Sequence, residues 1–449
     1  GLFQRPRPAF EAADPALMGY LGALQANASS MPAGEASYGL DPQNPNVLRE
    51  MRNRDEIRSA PELDRGTVDA LAEVFDFVFA DQAIPMQMKV IIGRLQIPVL
   101  KAAMIEQQLP GTIRFYGCPA EETLVGKTFM AKAGVFDDLD AALAWHPGDT
   151  NTVWHGSSLA MNSFKVNFHG VAAHGAAAPH LGRSALDGVV LMDVGVNYLR
   201  EHIIQEARIH SVITSGGQAP NVVPAYAQVW YFVRAPSRAQ VEEIYARMLD
   251  IAKGAALMSG TTYAIDFVTG CYEMLPNRVI SDLMYAKMQE VEAMTFTERE
   301  IAFAGELQKT FPAGSLEYGY AMLEKTTTGG FSKADLANPL WTKVLPHAPT
   351  VMVMPGSTEV ADVSQITPTS QLTTCCWPFG TPPHSWQITA SSGSQIGFKG
   401  MLFAAKALAL TALDLLTKPD LLQAAQAEFA TSTEGRTYVS PLPDGTVPH

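Results

Sequence analysis

The sequence predicts an α/β protein: a layered domain interrupted by a smaller α+β unit. Three observations predict it. Helix-patterned stretches alternate with short apolar, β-rich runs up to "LDAALAWHP", as in a layered domain with a largely buried sheet. Residues 158–272 then run strand, helix, strand, strand, helix, strand, the ferredoxin-like split pattern. The α/β texture resumes beyond that stretch, so the ferredoxin-like unit is an insertion. The expected domains are therefore a discontinuous one, residues 1–157 and 273–449, and an inserted one, residues 158–272.

Residues 1–60 are rich in Pro, Ala, Asn and Arg with poor periodicity, and loops with short helices are expected there. From "DRGTVDALAEVFDFVFADQ" to "LKAAMIEQQLPG" the period is helical, and Pro110-Gly111 stops it. "TIRFYG" is expected as a short strand and "KTFMAKAGVF" as a helix ending at Gly134. "LDAALAWHP" is a further apolar run, ending in His146-Pro147. In the insertion, "LAMNSFKVNFHG" alternates as a half-buried strand should. "GRSALDGVVLMDVGVNYLREHI" is a helix. "ARIHSVITSGG" and "AQVWYFVRAP" are strands, "RAQVEEIYARMLDIAKGAAL" a helix, and "TYAIDFVTG" the last strand. Residues 326–376 look loop-rich ("TTTGG", "MPGSTEVAD"), and "GFKGMLFAAKALALTALDLLT" is a long closing helix.

Composition narrows the function classes. An apolar content of 47% with 17% charged residues describes a soluble globular chain. Thirty-two basic against 45 acidic residues give a net charge of −13, which argues against a nucleic-acid surface or an anionic membrane as partner. Four cysteines are few for 449 residues, and Cys375 and Cys376 are neighbours, so a reducing, cytoplasmic compartment is expected. "GLFQRPRPAF" holds no apolar run of signal-peptide length, and no segment is an uninterrupted apolar span of about 18 residues. The absence of an initiator Met hints that the sequence starts inside a longer chain.

Adjacent carboxylates, Glu121 and Glu122, follow "TIRFYGCPA". Neighbours on a strand point to opposite faces, so the pair does not simply decorate one surface. A polar turn is the plain reading of such a pair. It changes if histidines converge, because active groups of α/β sheets gather at the carboxyl ends of strands. His146 in "LAWHP" and His384 in "FGTPPHSW" both follow strand-like runs. Glu122 with His146 and His384 is the donor chemistry of a catalytic zinc with an open position for water. Glu121, pointing elsewhere, is then free to act as general base.

"GTIRFYGCPAEE", "GKTFMAKAGVFDDLDAALAWHP", "GVAAHGAAAPHLGRSALD", "APNVVPAYAQVWYFVRAP" and "GTPPHSWQ" together resemble the zinc aminoacylase/carboxypeptidase family, which includes amidohydrolases that cleave N-acyl amino acids. The resemblance runs over roughly residues 90 to 449. It implies a zinc-exopeptidase-like three-layer catalytic domain with an inserted ferredoxin-like dimerisation (lid) domain, a homodimer, and a small substrate bearing a carboxylate. It also implies a divalent metal, zinc or manganese, two per chain in the family pattern. By resemblance Glu121 matches the general base, and Glu122, His146 and His384 match metal ligands. His174 matches a histidine that polarises the scissile carbonyl in the partner's site, and Asn221 and Arg234 match residues that grip the substrate carboxylate. A donor aimed at a developing oxyanion and a planar guanidinium on a carboxylate both suit those roles. On the residues alone, Arg234 reads rather as a surface ion-pair partner and Asn221 as a turn residue before "VVP".

One departure stands out. Where the family's first metal motif, a Gly-Cys-Gly-His-type turn, should lie, this chain has "IPMQMKVIIGR", with Gln87 and Lys89 in place of Cys and His. Neither is an ordinary zinc ligand, and no histidine precedes His146. Three explanations stay open: a misassigned N-terminal quarter, a single retained metal, or a catalytically degenerate member acting as a carboxylate-binding or partner subunit.

Overall fold

The computed structural model describes residues 16–17, 19–21, 46–80, 111–348 and 350–447. The chain divides into two compact units, Gly1–Tyr116 and Gly117–His449. The helix expected over "LKAAMIEQQLPG" and the Gln87/Lys89 stretch lie outside the described residues.

The first unit contains α1 (Val47–Met51), α2 (Asp55–Arg58) and α3 (Glu62–Ala80). Along α3, Val68, Ala72, Phe75 and Phe79 recur at helical spacing. They pack with Leu17, Leu21, Leu48 and Ile57 into a small core. Buried Asn46 ties the base of α1 to α3, its Nδ2 donating to the Ala72 carbonyl at 2.7 Å.

The second unit begins with α4 (Gly126–Lys132), β1 (Ala142–Gly148), β2 (Thr152–Val153) and β3 (Gly156–Ser157). The insertion follows: β4 (Ala160–His169), α5 (Ala185–Leu199), β5 (Arg208–Ser215), β6 (Tyr226–Ala235), α6 (Arg238–Ser259) and β7 (Thr262–Cys271). The chain returns through α7 (Arg278–Glu290), α8 (Glu298–Gln308), α9 (Ser315–Thr326), β8 (Met352–Val353), α10 (Val360–Ser364) and β9 (Thr369–Cys375). It closes with α11 (Trp386–Ser392), α12 (Gln395–Thr417) and α13 (Pro419–Thr433).

The inserted sheet has the order β5-β6-β4-β7, antiparallel throughout, which is the ferredoxin-like arrangement. Period-2 burial explains its faces. On β6, Ala227, Val229, Tyr231 and Val233 point at α5 and α6, where they join Val189, Met192, Val241 and Met248 in one core. The intervening Trp230, Phe232 and Arg234 face the other way. A capping box of Ser237 and Gln240 starts α6, and Gly260, at φ +65°, ends it.

The other half is built on β9, which pairs in parallel with β1 and antiparallel with β2. β9 is buried almost continuously, as expected of a central strand covered on both faces. Its hydroxyls are satisfied inside: Thr374 Oγ1 donates to the Gly400 carbonyl at 3.0 Å, and Ser370 meets Ser281 at 2.9 Å. By length and composition α12 could cross a membrane. Here its Ile396, Phe403, Ala404 and Ala407 join Leu372 of β9 and Ile280 and Met284 of α7 in the second core.

Two expectations are corrected. "TIRFYG" forms no strand, and Phe115 is 95% exposed. β-rich composition describes side chains that suit a half-buried pleat, and this stretch is given no such face. Residues 326–376 hold the central strand β9 and α10, because buried Thr and Ser lack the apolar signature of a strand while making its hydrogen bonds internally. Helices α7, α8, α9 and α13 also supply the core around β9, and the sequence pattern does not mark them.

Candidate active site

Glu121 opens a single 3-10 turn, Glu121–Thr123, rather than ending a strand. The residues on either side, Ala120 and Leu124, hold left-handed conformations at φ 56° and 57°. Such backbone is costly for residues with a Cβ and persists where surroundings over-determine it. The turn opens onto a cavity of about 1440 Å³. Glu121, Glu122, His146, Arg234 and His384 all line it.

The contacts among these residues are uneven. Glu122 Oε2 lies 3.3 Å from His384 Nδ1, with both side chains about three-quarters exposed. His384 has φ 53°, so the "TPPHSW" loop is bent sharply at the imidazole. His146 lies inside β1, in register with Thr373, rather than beyond a strand end. Its Nδ1 donates to the Pro147 carbonyl at 2.6 Å, so a neutral ring carries its lone pair on Nε2. Trp154 packs edge-on against the same ring at 6.2 Å.

As a metal site these donors fall short. Among the described residues no group of three or more His, Cys, Asp or Glu side chains is gathered closely enough to hold an ion. Glu122 and His384 meet, and His146 is not gathered with them. A catalytic zinc takes three protein ligands. The described residues therefore do not fit a metal as they stand, in contrast to the ligand set that the resemblance implies.

Arg234, at the end of β6, reaches the cavity from the inserted sheet of the same chain. Its guanidinium lies over Phe232 at 5.8 Å, and its buried Nε has no hydrogen-bond partner. Burial lowers its pKa. A half-buried cation with an unsatisfied donor is suited to a carboxylate ligand.

His174 and Asn221 do not line the cavity. They sit together on one surface: His174 bridges Val222, and the Gly175 amide donates to the Asn221 carbonyl at 2.8 Å. The amides of Ala176 and Ala177 donate to His174 Nδ1 at 3.2 and 3.1 Å. A neutral imidazole accepting at Nδ1 carries its proton on Nε2, so His174 presents an outward donor.

Residues outside the sequence reading also shape the site. Asp149 in the cavity wall accepts the Gly380 amide at 3.0 Å and has its pKa raised by burial. Glu359, inside the "MPGSTEVAD" stretch read as loop, is fully buried against Lys127. Its pKa is raised by burial, against the opposing effect of the lysine.

Residues 160–257 match the peptidase dimerisation domain model of the M20 peptidases. Residues 11–110 match a different model, the second domain of a protein of unknown function (DUF1631). Residues 84–90, where the first metal motif would lie, fall within that second match. The chain is 42% identical to the B subunit of p-aminobenzoyl-glutamate hydrolase from Escherichia coli over 344 residues, covering 75% of this chain and 71% of that one. It is 28% identical to the Xaa-Arg dipeptidase of Mus musculus, covering 74% and 65% respectively. A solved structure, an aminobenzoyl-glutamate utilization protein from Klebsiella pneumoniae, overlays with a TM-score of 0.47 at 21% identity, covering 75% of this chain and 70% of that one.

Proposed function

Because the chain belongs to the M20 family of peptidases and amidohydrolases, we propose that it hydrolyses the amide bond of an N-acyl or N-aroyl amino acid, p-aminobenzoyl-glutamate-like, or of a small peptide with a free carboxylate. The observation that carries this reading is that Glu121 and Glu122 and the unsatisfied Arg234 open onto one cavity. At about 1440 Å³ it exceeds the roughly 300–1,000 Å³ of ordinary small-molecule sites, so an aroyl group and an amino acid fit together.

In this reading Arg234 holds the substrate carboxylate and so fixes which amide bond faces the Glu turn. Glu121 takes a proton from the attacking water and returns it to the leaving amine. His174 donates to the carbonyl oxygen as charge develops, and Asn221 beside it helps hold the carboxylate. A zinc or manganese ion, held with Glu122, His146 and His384, belongs to the same proposal. The described donors do not close such a site, so no step is drawn through it.

His174 and Asn221 act in the partner subunit's cavity, in a homodimer built through residues 158–272. The match to a dimerisation domain supports this, as do the exposed edge strand β5 and the exposed Val190, Val194 and Tyr198 on α5. The buried thiols of Cys271, Cys375 and Cys376, none of them in a disulfide, support a cytoplasmic setting.

The test compares an N-acyl glutamate with the same compound amidated at its α-carboxylate. Wild-type chain should prefer the free acid, and Arg234→Ala should raise KM for it and erase the preference. Equal turnover of both compounds by wild type contradicts the proposed grip.

A second reading is a non-catalytic carboxylate-binding or partner subunit. It is favoured by the incomplete donor set and by the unrelated match over residues 11–110. Metal analysis of purified protein separates the two. About two ions per chain supports the hydrolase, whereas none supports the non-catalytic role.

A further inference from the structure

We infer that Glu359 and Lys127 form a clamp that positions the Glu121–Glu122 turn for its chemistry, an inference that rests on the proposed hydrolase reading. Both oxygens of the fully buried Glu359 carboxylate are taken by one residue. The Lys127 backbone amide donates to Oε2 at 2.8 Å, and the Lys127 ammonium donates to Oε1 at 2.8 Å. The partners are 232 residues apart in sequence. Glu359 directly precedes α10, and Lys127 is the second residue of α4, which leaves the Glu turn. Lys127 also lines the cavity onto which Glu121 and Glu122 open.

The turn needs such a hold. It is flanked by two left-handed residues that carry Cβ atoms, Ala120 and Leu124, and the chain doubles back so tightly that a Cβ on Gly126 would sit 1.9 Å from the Pro119 carbonyl oxygen. Thr269 Oγ1 of β7 donates to the Leu124 carbonyl at 2.6 Å, fixing one side of the turn to the inserted sheet. The Glu359 clamp fixes the other side to the segment that leads into β9. The turn is thereby pinned between the two halves of the unit.

A pair of apolar side chains could fill this volume with similar stability, since a buried ion pair recovers little more than its desolvation cost. What the charged pair adds is a fixed direction for Lys127, and through it for the Glu turn. Glu359 and Lys127 are positioning residues in this scheme, because neither is placed on the reacting atoms.

The test uses the full chain and two independent readouts. Glu359→Gln keeps the shape and one acceptor but sets an amide against the ammonium. Amide exchange in a peptide spanning residues 117–132 should accelerate by about tenfold or more, while exchange in β4 and β6 stays at the wild-type rate. Hydrolysis of p-aminobenzoyl-glutamate should lose about 10²-fold in kcat with KM within about twofold. Lys127→Met should reproduce both effects, and Lys127→Arg, which keeps the charge pair, should return the exchange of 117–132 towards wild type. This second set decides the matter if Glu359→Gln does not fold. Folded variants with unchanged exchange in 117–132 overturn the clamp, as does a fall in melting temperature with exchange and kcat unchanged. Absence of hydrolysis by wild type overturns the hydrolase reading instead, and the exchange readout still tests the clamp.

Discussion

Replacing Asp362 with Asn should stabilise the protein at alkaline pH and destabilise it by about 1 kcal/mol at pH 4. Asp362 is fully buried on α10, accepts Tyr438 Oη at 2.8 Å and the Tyr272 amide at 3.3 Å, and has its pKa pushed up to about 7 by burial. In the unfolded chain the same group titrates near about 3.9. The folded state therefore binds the proton more tightly. Its contribution to stability is fully present below about pH 4 and is lost as the pH rises through about 7. Two pKa values about three pH units apart correspond to about 4 kcal/mol across that window. Asn is neutral throughout, so it escapes this loss. It keeps an acceptor for the Tyr272 amide but must donate to the Tyr438 oxygen, a rearrangement costing about 1 kcal/mol. The net gain at pH 8 is then about 2 to 3 kcal/mol. Urea unfolding of both proteins at pH 4, 6 and 8 measures it. Buried Asp149 drops out of the difference, whereas Glu359, whose charge adds to the rise at Asp362, is relieved by the substitution in the same direction. A pH-independent difference, or an Asn variant less stable at pH 8 than at pH 4 relative to wild type, would refute the reasoning.

Two further outcomes concern assembly. Placing Glu at both Val194 and Tyr198, exposed apolar positions of α5, should convert the proposed dimer to monomers in analytical ultracentrifugation while leaving the fold intact by circular dichroism. Mixing inactive Glu121→Gln and His174→Ala chains should recover activity, because hybrid dimers regain one complete site if the histidine works in trans. No recovery after verified subunit exchange would mean that His174 serves its own chain or only its loop.

Much of the inserted domain was legible because its signals are local. On β6, "YAQVWYFVRA" alternates strictly, and burial follows that alternation residue by residue. The start of α6 carries Ser237 and Gln240 at capping-box spacing, and Gly260 marks its end. The Glu pair and His384 were legible as cavity residues because each stands out by type beside a strand-like run, whereas Arg234 was reached only through the family resemblance. What was not legible depends on contacts distant in sequence. Nothing in "MPGSTEVAD" indicates that Glu359 reaches Lys127, and nothing in Thr-rich β9 indicates that its hydroxyls are satisfied by neighbours such as Gly400. "TIRFYG" failed for the complementary reason: its propensity is real, but no buried face is supplied to it. That His146 is not gathered with the Glu122–His384 contact was equally invisible, since it depends on how three segments distant in sequence are placed.

The most direct measurement of the central claim is glutamate release from p-aminobenzoyl-glutamate by the wild-type chain and by Glu121→Gln. The substitution keeps the size and hydrogen-bonding reach of the side chain while removing its ability to carry a proton. Loss of a general base costs about 10² to 10⁴ in rate, so kcat should fall by that factor with KM little changed. Release by Glu121→Gln at close to the wild-type rate would contradict the assignment of proton transfer to Glu121.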